Sequence, residues 1–146
     1  MMAKCKLTIS MLVCGRDTTI RCLDSLVPIL EDLDSELILV DTGCPAELRA
    51  QLTKYTDQII PFTWCDDFAA ARNVGMKAAH GEWFLYIDDD EWFENPEALI
   101  QFFKSGQYRK YGCVNYIQRN YYDEDFIHYD DFWASRMIKL DADTCF

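Results

Sequence analysis

Residues 83–92 read Trp83-Phe84-Leu85-Tyr86-Ile87-Asp88-Asp89-Asp90-Glu91-Trp92. An apolar run ends abruptly in four consecutive carboxylates. Four adjacent like charges repel one another, so the run calls for a cation. A divalent metal at the end of a buried strand meets that need. Most acidic runs are solvated loops or helix caps, but this one follows a strand pattern directly. It lacks the glycine and the later glutamate of an EF-hand loop.

Working outward, the first hundred residues alternate strand and helix. Residues 6–14 are β-branched and apolar and stop at Gly15, which predicts a buried strand. Ile20, Leu23, Leu26, Val27 and Leu30 recur at helical spacing across 17–33, with Asp17 or Thr18 as the cap and Pro28 expected to bend or shorten the helix. A second strand covers 36–40 and closes at Asp41-Thr42-Gly43. A short helix over 46–55 enters through Pro45, and a short strand covers 57–62. Asp66 or Asp67 caps a helix running to Ala79, with His80 placed favourably at its carboxyl end. Residues 82–87 form the strand that leads into the acidic run. Asn95-Pro96 pairs a capping residue with proline at the first helical position, and Gly106 stops that helix. Residues 112–122 and 132–140 then read as two strands joined by an acidic, aromatic link that holds His128. The expectation is an α/β fold with a mostly parallel sheet flanked by helices and a shorter antiparallel strand pair near the C-terminus.

Composition narrows the function classes. The chain has 146 residues, half of them hydrophobic, and a net charge of −11. One domain over 1–146 is expected at that length. So acidic a surface argues against nucleic acid or an anionic membrane as partner. The seven cysteines form no CxxC pair, are odd in number, and read as buried free thiols. They point to a reducing, cytoplasmic setting rather than to zinc or a disulfide framework. No signal-peptide pattern and no run of about 18 apolar residues occurs.

In an open α/β sheet, ligands bind beyond the carboxyl ends of the strands. Here those ends are Cys14-Gly15, where glycine permits close backbone approach, Asp41-Thr42-Gly43, and Asp88-Asp89-Asp90. The helix bearing Arg72 and Asn73 starts from a loop that opens on the same rim. Trp92 reads as a core tryptophan or as part of a sugar platform.

Four segments, in order, resemble the family 2 glycosyltransferases of the GT-A, Rossmann-like fold: the opening strand Leu7–Val13, Leu37-Ile38-Leu39-Val40-Asp41-Thr42-Gly43, Phe68-Ala69-Ala70-Ala71-Arg72-Asn73-Val74-Gly75, and Gly81 through Glu91. Each is weak alone; their order and spacing are specific. The resemblance covers residues 7 to about 105 well and 130–140 loosely. It implies a nucleotide-sugar donor and a divalent cation, Mn²⁺ or Mg²⁺, with Asp88 and Asp90 as the Asp-x-Asp motif. Asp90 would bind the metal and Asp88 would face the ribose or sugar, with Asp89 and Glu91 as supporting charges. Asp41 would bond the base or ribose, Arg72 would lie near the base, and Asn73 would support the loop or contact the donor. Cys14 and Gly15 would border the donor.

The chemistry agrees with that implication. Charge grows on a nucleoside diphosphate as the glycosyl bond breaks, and a carboxylate-held metal stabilises it. Hard oxygen ligands suit Mg²⁺ or Mn²⁺ better than Zn²⁺. An ionised Asp41 accepts hydrogen bonds, which favours UDP, then GDP or dTDP, because uracil and guanine carry ring N–H donors and cytosine does not.

Inverting transfer also needs a general base. In the family it lies beyond the strand that Phe132–Leu140 resembles, and the sequence stops at Phe146. Only Asp130 and Asp131 stand nearby. The expectation is therefore a GT-A type domain that lacks the acceptor and base segment, with an unknown acceptor. A non-catalytic nucleotide-sugar-binding or scaffold module is the alternative. A sugar nucleotidyltransferase fits less well, because Cys14-Gly15-Arg16-Asp17 supplies no glycine-rich loop.

Overall fold

The opening apolar run forms β1 (Cys5–Val13), the strand on which the sheet is built. The structure is a computed structural model and describes residues 3–146. After β1 come α1 (Thr19–Asp32), β2 (Ser35–Asp41), α2 (Ala46–Leu52), β3 (Ile59–Pro61), α3 (Phe68–Ala78), β4 (Gly81–Asp88), α4 (Pro96–Lys104), β5 (Cys113–Tyr121) and β6 (Tyr129–Lys139). The six strands lie in the order β3-β2-β1-β4-β6-β5. Strands β3, β2, β1 and β4 are parallel, while β6 runs antiparallel to both β4 and β5. The expected mixed sheet is thus present, with its antiparallel pair at the C-terminal end.

Period-two alternation divides the central strands between two layers. Leu7, Ile9, Met11 and Val13 of β1, with Trp83, Leu85 and Ile87 of β4, join the main core with Leu23, Leu26 and Ile29 of α1 and Ile100 and Phe103 of α4. Burying each large aliphatic side chain contributes about 1.5–3 kcal/mol. On the opposite face β1 presents the smaller Thr8 and Ser10, and that face receives α3. A Cβ on Gly75 of that helix would lie 2.2 Å from Ser10 Oγ, so only glycine lets α3 come this close. Buried Thr8 is satisfied there: its hydroxyl donates to Glu36 (2.6 Å) and accepts from the Gly81 amide (2.9 Å).

Several local expectations change. Pro28 does not shorten α1, which runs through it to Asp32. Leu26 and Ile29 beside it are fully buried, and that burial offsets the one missing helical hydrogen bond. Helix α2 stops at Leu52 because the Lys54 amide turns back to Gln51, tightening the end. Asn95 precedes α4 but makes no side-chain cap, whereas Asp67 does cap α3 by accepting from the Ala70 amide (3.0 Å). His80 lies beyond α3 and pairs with Glu36 across to β2 at 2.9 Å. Strand β6 starts at Tyr129, because Arg119 of β5 grips Asp131 with two bonds and extends the ladder. Of the seven cysteines only Cys22 is buried; Cys14, Cys65, Cys113 and Cys145 are exposed. Cys14, Cys65 and Cys145 lie outside the strands and helices and Cys113 opens β5, positions that do not carry a thiol inside.

Candidate functional site

The ends of β2, β1 and β4 lie side by side, since Val13 pairs with Asp41 and Leu12 with Asp88. Asp41 and the acidic run therefore share one rim.

The acidic run does not project as a block. Asp88 meets two guanidiniums, Arg72 at 3.2 Å and Arg136 at 3.6 Å. Asp89 turns towards α1, is buried, and bonds Arg16 Nε (3.1 Å) and the Thr19 hydroxyl (3.2 Å). Thr18 of the same segment donates to the Asp89 carbonyl at 2.8 Å. Asp90 bonds Arg16 Nη1 at 3.1 Å and keeps 48% of its side chain exposed. Glu91 folds back to accept from the Asp88 amide (3.0 Å) and from Arg136 (2.7 Å). Burial pushes the Asp89 and Glu91 carboxyls up, against the pull of their arginine partners.

Three arginines thus answer four carboxylates. The repulsion that called for a metal is largely met by the protein itself. Arg16 and Arg136 were not singled out by sequence reasoning. The available signal was positional: Arg16 follows the end of β1 by three residues, and Arg136 is a cation inside a strand pattern. Arg72 and Arg136 also lie over the Tyr86 ring, 4.6 and 4.7 Å from its centroid. That stacking fixes both guanidiniums beside Asp88.

At the end of β2, Asp41 is buried and fully engaged. Its Oδ1 accepts from the Gly43 (2.9 Å) and Cys44 (2.7 Å) amides, and its Oδ2 pairs with Arg49. Burial raises the Asp41 carboxyl, but these donors outweigh it and hold the group below its usual range. Gly15 has φ +104°, and a Cβ there would meet Pro45 Cδ at 2.8 Å, so glycine is required where the β1 and β2 loops touch. Cys14 is exposed beside Asp89, its Sγ 3.8 Å from Oδ2. Asn73 faces elsewhere: its side chain brackets the Phe146 backbone, accepting from the amide (2.9 Å) and donating to the carbonyl (3.4 Å). Asp130 and Asp131 are engaged inside the β5–β6 hairpin, by the Tyr122 hydroxyl and by Arg119. His128 pairs with Asp123 in the hairpin turn at 2.6 Å.

A cleft of about 1490 Å³ opens in front of Asp88 and Asp90, between the 91–95 loop, α4 and the inner face of β5. Trp92, Tyr116, Tyr121 and Phe126 supply its aromatic surface. Arg21 lies 3.8 Å over the Trp92 ring, so Trp92 belongs to the cleft wall and not to the core.

Among the described residues no three His, Cys, Asp or Glu side chains converge as a metal cage. A Mg²⁺ or Mn²⁺ site does not need one, because these ions bind through one or two carboxylates, waters and substrate phosphates. Asp88 and Asp90 both line the cleft and are partly exposed, so their chemistry fits such a site.

Comparisons with known proteins bear on the family and the fold. The family model for glycosyl transferase family 2 matches residues 9–143. A TPR repeat-containing protein of Synechococcus elongatus is 41% identical over 91 residues, covering 54% of this chain and 22% of that protein. A Pyrobaculum calidifontis mannosyltransferase solved with GDP-Man and Mn²⁺ superposes with a TM-score of 0.62 at 16% identity, covering 79% of this chain and 36% of its own. Staphylococcus aureus TarS does so with a TM-score of 0.54 at 16% identity, covering 77% and 20%. The chain spans well under half the length of each. At these identities the two structures show a shared GT-A fold. No helix among the described residues is long and apolar enough to cross a membrane.

Proposed function

The chain belongs to glycosyl transferase family 2, and from that premise we propose that its rim binds a nucleoside-diphosphate sugar for transfer to an acceptor held in the cleft. The observation that supports this most is the convergence of three guanidiniums on Asp88 and Asp90, two carboxylates that line the cleft.

Asp90 is the carboxylate with free surface towards the cleft, and with Asp88 beside it would hold a divalent cation. That cation would act as a Lewis acid on the departing diphosphate. Arg72 and Arg136, fixed on Tyr86, hold Asp88 in place for the ribose or sugar. They also add positive charge at the rim of a protein whose net charge is −11. UDP is the preferred nucleotide in this reading. Uracil N3–H would take Asp41 Oδ2 in place of Arg49, whose side chain is half exposed and free to move aside. In the cleft, aromatic faces suit the apolar faces of a sugar ring. Carboxylates there outnumber guanidiniums seven to three, which favours a neutral or cationic acceptor over a phosphorylated one. Transfer is proposed to invert the anomeric centre, and the general base that this requires is assigned to no residue of this chain.

Titration calorimetry tests the reading. UDP is expected to bind in Mn²⁺ and to lose about tenfold or more in affinity, a change of about 1.4 kcal/mol, with excess chelator or in Asp90→Asn. Equal affinity with Mn²⁺ and with chelator overturns it. Release of UDP from a UDP-sugar then separates an enzyme from a binding module, since the module would bind without turnover.

A further inference from the structure

Arg16 is placed unlike the other two guanidiniums of the site. Arg72 and Arg136 are mostly covered, with side chains 22% and 14% exposed, and both rest on Tyr86. Arg16 is 56% exposed and follows Gly15, whose positive φ turns the chain out of β1. Its fork holds two carboxylates at once, Asp89 through Nε and Asp90 through Nη1, each at 3.1 Å.

The two ends of that fork are unequal. Asp89 is buried and is also held by Thr19 and Cys14, so its bond to Arg16 sits in a fixed setting. Asp90 is half exposed, and among the described residues Arg16 is its one cationic partner. A divalent cation on Asp90 would meet the Arg16 guanidinium at the same carboxylate. A divalent cation that takes Asp90 Oδ2, the oxygen Arg16 holds, would displace the guanidinium from it, because two cations on one oxygen repel. The guanidinium can give up Nη1 while Nε stays on Asp89.

We propose that Arg16 is a positioning residue that exchanges partners. Without ligand it neutralises Asp90; when a divalent cation arrives with a nucleoside diphosphate, Nη1 passes from Asp90 to a phosphate oxygen while Nε keeps its bond to Asp89. This rests on the reading of Asp90 as the metal carboxylate. The exchange keeps charge balanced, because the carboxylate gains a cation as the guanidinium gains an anion. A bare cation has to displace Arg16 with nothing to receive it, whereas a cation that brings a diphosphate supplies the new partner. Arg16 therefore couples the two ligands: it weakens binding of the metal alone and strengthens binding of metal and diphosphate together.

The experiment is calorimetry on the full chain with Mn²⁺ alone and with UDP in Mn²⁺, for wild type, Arg16→Gln, Arg16→Lys and Asp90→Asn. Thermal melts check that each variant folds. Arg16→Gln is expected to tighten Mn²⁺ alone and to weaken UDP in Mn²⁺, so that the coupling between them falls by about fivefold or more. Arg16→Lys, which keeps the charge but cannot span both carboxylates, is expected to lie between wild type and Arg16→Gln. If Asp90→Asn weakens Mn²⁺ while Arg16→Gln changes neither titration, the exchange is wrong and the metal carboxylate stands. If Arg16→Gln weakens Mn²⁺ alone, Arg16 only supports the acidic turn and the exchange is again overturned. If Asp90→Asn leaves Mn²⁺ binding unchanged, the underlying reading of Asp90 fails instead.

Discussion

Strands β1, β2 and β4 bury most of their residues and expose none fully, while β5 exposes most of its residues and β6 buries only Ala134 and Met137. Helices cover both faces of the first group. The β5–β6 hairpin pairs with β4 through only three residue pairs and then continues beyond it as a free wall of the cleft. The two regions divide the work. The parallel part supplies the stability and places the carboxylates; the hairpin supplies aromatic surface and one decisive side chain, Arg136.

Substitutions can break or sharpen this comparison. The largest effect is expected from Leu85→Ala in β4, fully buried between Ile9 and Met137. It should lose about 3 kcal/mol, read from the urea midpoint at unchanged slope. Arg136→Met, at the joint between the regions, should cost about 2 kcal/mol, because Glu91 is left mostly covered without its cation. Adding Glu91→Gln should recover part of that loss; a double-mutant cycle with no coupling would mean the joint is not held by this pair.

Asp41→Asn should cost about 1.5 kcal/mol at neutral pH, by weakening two amide contacts and removing the ion pair with Arg49. Its pH dependence has a definite sign. The folded carboxyl lies below its unfolded value of 3.8, so its contribution is fully present above that pH and is lost as pH falls through the folded value. The gap between wild type and Asp41→Asn should be flat from pH 6 to pH 8 and close in acid; a gap that widens in acid would contradict it. The smallest effect is expected from Trp133→Ser in the hairpin, 70% exposed opposite Ile117, at about 0.5 kcal/mol or less. A cost near that of Leu85→Ala would erase the distinction between the regions.

Legibility followed the same division. Alternation of apolar strands and helices marked β1, β2, β4 and their helices within a few residues, because those patterns reflect burial on both faces. Asp67 was readable as a cap because capping is local. Asn95 was not, because its side chain makes no cap bond although its position invites one. The start of β6 was missed because the Arg119–Asp131 contact that extends it joins residues on different strands. The exposure of Trp92 was left open for a similar reason: whether a tryptophan after a strand end enters the core depends on where α1 puts Arg21.

The acidic run shows the boundary most clearly. By itself the sequence determined that Asp88, Asp89, Asp90 and Glu91 close a buried strand, and that four such charges require cations. It also determined that Asp41 ends another strand, so that the two could share a rim. Only the tertiary structure decided which cations answer them. Arg16, Arg72 and Arg136 come from three separate elements, and each reaches the run only after the sheet has formed. The tertiary structure also separated the four carboxylates, sending Asp89 and Glu91 inward and leaving Asp90 open to the cleft. The physical reason is range. Hydrophobic periodicity is written in neighbouring residues, whereas charge pairing is set by through-space distance between residues that the chain brings together only on folding.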